Sequence, residues 1–121
     1  VLDTSGLVEA LGAGGALRGE LREAIGRRER IAVPALVLYE WLRGPRIPEE
    51  LSAQEALLPS AEALPFGPDE AVLAAGLYRE LPRARGGELD LAIAATALAW
   101  RARLWTLNRD DFEDVPGLEL V

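Results

Sequence analysis

The sequence contains no histidine, cysteine or methionine, and all 13 of its basic residues are arginine. Without cysteine there is no disulfide, no thiolate nucleophile and no soft zinc site. Without lysine there is no Walker-type phosphate loop, Schiff base or Ser-Lys dyad, and without histidine there is no conventional catalytic triad. The chemistry that remains is that of aspartate and glutamate, which act as an acid and base pair or as oxygen ligands of a hard divalent cation.

Long apolar runs are missing as well. The apolar stretches 35–39 and 91–95 are far shorter than the ~18 residues that span a bilayer, and no basic region followed by an apolar run marks a secretory signal. We therefore expect a cytoplasmic protein without a membrane segment. Its 121 residues, half of them hydrophobic, are enough to form one domain over 1–121 with its own core.

The net charge of −7 is unusual for a protein that binds nucleic acid, because a polyanion is normally attracted by a surplus of basic residues. This objection loses weight if several acids converge on bound cations, which then supply local positive charge. Arginines could also cluster on one face of an acidic protein. The total charge therefore disfavours a nucleic-acid partner without excluding it.

Predicted strands and helices alternate along the chain. Short strands are predicted at 1–2, 31–33, 63–66, 104–107 and 118–121, and helices at 4–11, 16–28, 34–43, within 45–60, at 68–81, 89–101 and 110–114. Strands separated by helices predict an α/β fold with a parallel sheet and helices on both faces. In such sheets, ligands bind at the carboxyl ends of the strands.

Several local features refine this pattern. Thr4 or Ser5 is predicted to cap the first helix, and the glycine group at Gly12, Gly14 and Gly15 is predicted to be a turn, not a phosphate cradle. The stretch 83–87 reads as a basic loop. On the helix 68–81, the apolar face predicted to lie in the core comprises Val72, Leu73, Leu77 and Leu81.

Acidic residues fall at positions that bring them towards one edge of the predicted sheet. Asp3 follows the first strand, Asp111 follows the fourth, and Asp90 opens the helix before the fourth strand. Glu40 lies in an apolar helix, where a buried carboxylate needs either a metal ion or an arginine partner. Each acid also has an ordinary explanation, as a solvated surface charge or a partner of the helix dipole.

Four segments carry a resemblance to a known family. They are 2–5 (Leu-Asp-Thr-Ser), 39–44 (Tyr-Glu-Trp-Leu-Arg-Gly), Asp90 with 93–97, and 106–112 followed by 115–118. In this order and spacing they resemble PIN-domain nucleases, in particular VapC-type toxins of bacterial toxin-antitoxin pairs. The resemblance covers nearly the whole chain, and the last two segments are the most specific.

The resemblance implies a PIN-like three-layer α/β/α fold and an acidic site that binds magnesium (Mg2+) or manganese (Mn2+). Carried over residue by residue, the catalytic metal ligands are Asp3, Glu40, Asp90 and Asp111. Ser5 and Thr106 match hydroxyl positions that help to orient the acidic site, although capping or turn formation is their alternative role. The fourth ligand position stays open among Asn108, Asp110 and Asp111.

The resemblance further implies hydrolysis of RNA phosphodiester bonds by water, assisted by one or two of these cations. It also implies a cognate antitoxin protein that inhibits the nuclease, and a homodimer built from helix surfaces. Tyr39, Trp41 or Trp100 would suit such contacts if exposed, or the core if buried. Arg43, Arg85 and Arg109 lie beside the motifs, where they could contact phosphates or neutralise nearby acids.

Three other functions are compatible with parts of the pattern. A haloacid-dehalogenase-like phosphatase also begins with Asp after its first strand, but it normally has a second Asp two positions later and a later lysine, whereas this chain has Ser5 and no lysine. A catalytically silent PIN fold that binds RNA or protein is slightly favoured by the acidic charge. A two-carboxylate glycosidase lacks the aromatic residues for a sugar-stacking groove.

Overall fold

The computed structural model describes residues 1–12, 15, 17–82 and 87–121. These ranges contain six α-helices: α1 (Thr4–Leu11), α2 (Arg18–Gly26), α3 (Ala35–Arg43), α4 (Pro48–Leu57), α5 (Pro68–Glu80) and α6 (Glu88–Ala99). Short 3₁₀ helices cover Ser60–Glu62 and Arg109–Asp111. The predicted helices are confirmed with ends shifted by up to two residues, except that the turn expected at 110–114 is the shorter 3₁₀ helix. Gly14, Arg85 and the loop 83–86 lie outside the described residues.

The extended segments between the helices pair through isolated parallel bridges. In the described ranges these bridges join Leu2 to Trp105, Pro34 to Leu64, and Leu104 to Leu120. The backbone N–H of Leu2 also donates to the carbonyl of Ala32 at 3.0 Å. The predicted stretches 1–2, 63–66, 104–107 and 118–121 thus each contain a residue in a parallel bridge, and the bridge near the second stretch lies at Pro34, one residue beyond 31–33. The first and second stretches are linked by the hydrogen bond from Leu2 to Ala32, and a continuous sheet stays a prediction.

The pairing order explains where a ligand site can form. Across the fold, the segments lie in the order third, second, first, fourth, fifth. The connection that leaves the first segment therefore runs to one side, and the connection that leaves the fourth segment runs to the other side. At such a switch point the two connections diverge and leave a crevice beyond the carboxyl ends of the segments. Asp3 directly follows Leu2, and Thr106 directly follows Trp105, so both residues lie at this crevice.

Helix α6 forms the centre of the core. Every residue from Leu91 to Ala97 is buried, and α5 and α3 pack against this helix. Alanines dominate the buried stretch, so neighbouring backbones can approach closely without leaving voids. Burial holds α6 in place, and Asp90 in its first turn is thereby fixed next to the crevice.

Two local predictions are wrong. Helix α1 is capped by Asp3, whose side chain accepts the N–H of Gly6, and not by Thr4 or Ser5. On α5, Val72 and Leu73 are exposed, at 73% and 41%.

The face of α5 that packs on the core includes Leu77 and Leu81, as predicted, but not Val72 and Leu73. Its buried or packed residues are Glu70, Ala74, Leu77 and Leu81, which are spaced four, three and four apart. This is the spacing of one helical stripe, and Val72 and Leu73 fall outside it. Small residues such as Ala74 carry little hydrophobic signal, so the larger Val72 and Leu73 misplaced the stripe in the sequence pattern.

Helix α3 is less buried than its sequence suggests. Only Val37 and Trp41 are buried, one turn apart, whereas Tyr39 and Leu42 are exposed. Glu40 therefore lies at the boundary between the core face and the solvent face. None of the helices in the described ranges has the length and apolar character required to cross a membrane.

Candidate active site

An acidic cleft of about 460 Å³ opens at the carboxyl ends of the first and fourth extended segments. Its lining residues come from α1, α3, α6 and the loop that follows Thr106: Asp3, Thr4, Ser5, Val8, Glu9, Glu40, Asp90, Ile93, Leu107 and Asn108. Two larger clefts, of about 580 and 550 Å³, have linings in which arginines and glutamates are mixed. The acidic cleft is therefore distinguished by the carboxylates that line it and not by its volume.

Asp3 is the most completely organised acid of the cleft. It is 4% exposed. Its Oδ1 accepts the hydroxyl of Ser5 at 2.7 Å and the backbone N–H of Gly6 at 2.8 Å, and its Oδ2 accepts the hydroxyl of Thr106 at 2.5 Å. A carboxylate can accept about four hydrogen bonds. One lone-pair direction on Oδ2 thus remains for a further partner.

The two hydroxyl groups that hold Asp3 also hold the loop after the fourth segment. The hydroxyl of Ser5 accepts the N–H of Leu107 at 3.0 Å, and the hydroxyl of Thr106 accepts the N–H of Asn108 at 2.9 Å. Each hydroxyl thus accepts from the loop backbone and donates to Asp3. These four hydrogen bonds connect the backbone of residues 107 and 108 to Asp3 in the acidic cleft. Ser5 and Thr106 therefore have a more specific role than capping.

Gly6 is required by the close approach of α1 to the fourth segment. A Cβ atom at this position would lie 3.0 Å from the carbonyl oxygen of Trp105 and 3.0 Å from Cδ2 of Leu2. Backbone cannot easily move away, so a larger residue here would push α1 outward. Because Gly6 has no Cβ atom, α1 can lie close enough for the N–H of Gly6 to donate to Asp3.

Glu40 is held from two sides. Its Oε1 accepts the hydroxyl of Thr4 at 2.5 Å, which links α3 to α1, and its Oε2 lies 3.5 Å from Nη2 of Arg43. The side chain of Glu40 is 19% exposed. The arginine partner anticipated as the alternative to a metal is thus present, although at a distance longer than that of a close ion pair.

Asp90 lines the same cleft from the first turn of α6. A carboxylate at this end of a helix interacts favourably with the helix dipole. The two interpretations of Asp90, dipole partner and member of an acidic site, are therefore compatible in this fold.

The loop residues considered for the fourth position separate into two groups. Asn108 lines the acidic cleft, whereas Asp110 and Asp111 line an adjoining groove that also includes Leu107 and Asn108. Asp111 is exposed, at the end of the 3₁₀ helix. Asp3, Glu40 and Asp90 are thus brought together, and Asp111 lies beside them without lining the cleft.

Two polar lining residues, Thr4 and Glu9, had no role in the predicted acidic site. Glu9 lies one helical turn after Ser5 on α1, and this i, i+4 spacing is the signal that could have placed it on the cleft face. Thr4, which holds Glu40, was noted only as a possible cap. Its contact joins residues 36 positions apart, so no local pattern could have predicted it.

The donor set of the cleft suits a hard cation. Its ligating groups are carboxylate, hydroxyl and amide oxygens, which Mg2+ and Mn2+ prefer. Within the described ranges, no three acidic side chains are grouped closely enough to hold a metal ion by themselves. Magnesium does not require such a cage, because it is commonly bound by one or two carboxylates, several waters and substrate phosphate. The residues therefore fit such an ion.

Thr106→Val is expected to lower the free energy of unfolding by about 1–3 kcal/mol, because it removes a hydroxyl that serves buried Asp3 and the N–H of Asn108. Thr106→Ser keeps the hydroxyl and should cost less than about 1 kcal/mol. Urea denaturation in the presence of EDTA measures both. If Thr106→Val costs no more than Thr106→Ser, the hydroxyl contributes no more to stability than the methyl group does, and the prediction is wrong.

Comparison with known proteins places these features in a family. A sequence model of the PIN domain matches residues 1–118. A protein named Ribonuclease VapC from Rickettsia bellii is 44% identical over 62 residues, a stretch that spans 48% of this chain and 45% of that protein. The chain thus matches less than half of the length of that curated relative.

The fold is also similar to a solved structure, the crystal structure of VapBC2 from Rickettsia felis bound to a DNA fragment from their promoter. The TM-score is 0.77 at 23% sequence identity, and the match covers 99% of this chain and 95% of the other. At this identity the likeness concerns the fold alone. Because the PIN domain match runs through every segment that builds the cleft, the chain belongs to the PIN domain family.

Proposed function

We propose that this chain is a metal-dependent ribonuclease of the VapC type and the toxin of a toxin-antitoxin pair. The observation that carries the proposal is the cleft at the switch point, where Asp3, Glu40 and Asp90 come together from distant parts of the sequence. The similarity to a protein named Ribonuclease VapC supports RNA as the substrate. The proposal includes one cytoplasmic domain over 1–121, with a short parallel sheet between two layers of helices.

The acids of the cleft would hold Mg2+ or Mn2+. We assign Asp3, Glu40 and Asp90 as ligands, of which one or two would bind a given cation together with water and substrate phosphate. The fourth place goes to the loop 108–111, in which Asn108 lines the cleft and Asp111, the residue predicted from the family pattern, lines the adjoining groove. Such a cation, when bound, makes water a better nucleophile at neutral pH and stabilises negative charge on the phosphate.

The protein contributes the orientation of these ligands. Ser5, Gly6 and Thr106 fix the carboxylate of Asp3, so its rotamer is set before any cation arrives. Thr4 does the same for one oxygen of Glu40. Ligands that are already oriented lose little conformational entropy on binding, which favours a site of defined geometry.

The negative net charge is compatible with an RNA substrate in this arrangement. The acids that make the cleft repel RNA in the metal-free protein, and bound cations reverse the local sign of the potential. RNA binding should therefore depend on the divalent cation as well as on the protein surface.

A protein partner is part of the proposal. The structural neighbour is a VapBC2 complex, which supports a cognate antitoxin for this chain. A homodimer built from helix surfaces would use exposed apolar side chains such as Tyr39 on α3, which is 56% exposed. Trp100, after α6, is also exposed, whereas Trp41 lies in the core and is removed from the candidates for such contacts.

The test is cleavage of a panel of structured RNAs by the purified protein with Mg2+ or Mn2+. We expect cleavage to stop with EDTA and to fall to background in Asp3→Asn, because this change removes a proposed metal ligand. Asp69→Asn is the matched control, since it removes an exposed carboxylate from the first turn of α5. Cleavage that persists in EDTA would indicate a contaminating nuclease.

The opposite outcome is equally informative. If the protein does not cut RNA, and neither cation raises its melting temperature, the nuclease proposal is wrong. The catalytically silent PIN module that binds RNA or protein would then be the better description.

A further inference from the structure

Arg43 and Glu40 form an ion pair across the edge of the acidic cleft. Nη2 of Arg43 lies 3.5 Å from Oε2 of Glu40, one turn earlier on α3. The arginine side chain is 56% exposed, whereas that of the glutamate is 19% exposed. The guanidinium carbon also lies 5.2 Å from the centroid of the Tyr39 ring, which is itself exposed. The carboxylate thus lies in the cleft and the guanidinium at its solvent side.

This ion pair is easily exchanged. Its long distance and solvent exposure make its net stabilisation small. The other oxygen of Glu40 already accepts the hydroxyl of Thr4, so Oε2 is the oxygen more open to a cation. A guanidinium and a divalent cation at the same carboxylate repel each other. Binding of the divalent cation to Glu40 should therefore displace Arg43.

After displacement, the guanidinium of Arg43 can reach only a limited region of the surface. It is attached to the last turn of α3, next to Tyr39, so its head group stays within a side-chain length of the cleft edge. The phosphate of an RNA strand that enters the cleft is a partner that a guanidinium can bind through paired N–H groups.

We propose that Arg43 exchanges one ionic partner for another. In the metal-free protein it neutralises Glu40, and when a divalent cation takes Glu40 it binds a phosphate of the RNA strand beside the site. The RNA-binding part rests on the proposed function, whereas the competition with the cation does not.

The first test measures the affinity for Mn2+ by electron paramagnetic resonance of the free ion, without RNA. We expect Arg43→Gln to bind Mn2+ about two- to fivefold more tightly than the native protein, because the competing charge is gone. Arg43→Lys, which keeps the charge, should stay close to native. Arg22→Gln is the matched control, since it removes an exposed arginine from α2.

The second test measures binding of single-stranded RNA in Ca2+, with gels to show that the RNA stays intact. Arg43→Gln should weaken binding about tenfold and lower the slope of log affinity against log salt by about 0.7, the value for one phosphate contact on a single strand. In EDTA the same substitution should have little effect, because Arg43 then stays on Glu40. Arg22→Gln should leave the slope unchanged.

The outcomes separate the two proposals. An affinity for Mn2+ that is unchanged or weaker in Arg43→Gln would overturn the exchange. Tighter Mn2+ binding with an unchanged salt slope would overturn the phosphate contact. If Arg43→Gln tightens Mn2+ binding but the native protein never cleaves RNA, the nuclease proposal fails and the competition between Arg43 and the cation stands.

Discussion

Asp90→Asn is expected to reduce RNA cleavage at least ~100-fold, whereas Asp111→Asn should reduce it less than about tenfold. Loss of groups that merely orient a metal ligand costs about 10–100-fold, so loss of a ligand itself should cost at least as much. Asp90 lines the cleft with Asp3 and Glu40, and Asp111 lines the adjoining groove. The comparison is made on kcat/KM under saturating Mn2+.

Asn108→Ala completes this series. Asn108 lines the cleft, and its backbone is tied to Asp3 through the hydroxyl of Thr106. Its loss should therefore affect cleavage more than that of Asp111. The reverse ranking, with Asp111→Asn as damaging as Asp90→Asn, would mean that the loop closes over the cation and brings Asp111 into the cleft.

Trp41→Ala is expected to lower the free energy of unfolding by about 3–5 kcal/mol, the range for removal of a buried tryptophan. Trp41 is fully buried on α3. The guanidinium of Arg46 lies 4.0 Å from its ring centroid and donates to its carbonyl oxygen at 2.9 Å. Since domains are stable by only about 5–15 kcal/mol, this one substitution could bring the protein close to unfolding in guanidinium or urea titrations.

Trp41→Phe is the control for this prediction. The indole N–H of Trp41 has no hydrogen-bond partner in the part of the chain that the structure describes. Phenylalanine keeps much of the buried area and removes this unpaired donor, so its cost should stay below about 2 kcal/mol. A cost for Trp41→Phe as large as that for Trp41→Ala would contradict this prediction, because the ring that phenylalanine retains would then contribute nothing to stability.

These two variants also test how the site depends on the core. Trp41 is buried and directly follows Glu40 in the chain. The packing of Trp41 therefore fixes the rotation of α3 about its axis, and this rotation turns Glu40 towards the cleft. Trp41→Phe should retain cleavage, since the helix register is preserved.

Most of the local structure was predictable from local patterns. The helices begin and end at prolines, glycines and changes of apolar periodicity, because these determine backbone geometry over a few residues. The chemistry was narrowed by composition, since a chain without histidine, cysteine or lysine has mainly carboxylates to work with. The placement of Asp3 and Asp90 at one edge followed from the alternation of strands and helices.

The tertiary structure decided which residues meet. The hydrogen bond from Thr106 to Asp3 joins residues 103 positions apart, and the hydrogen bond from Thr4 to Glu40 joins residues 36 positions apart. Such contacts depend on the order in which the extended segments pair, and the hydrophobic periodicity of the sequence does not reveal this order. The buried face of α5 and the position of Asp111 beside the cleft depend on packing in the same way, because packing chooses among faces and rotamers that are locally of similar energy.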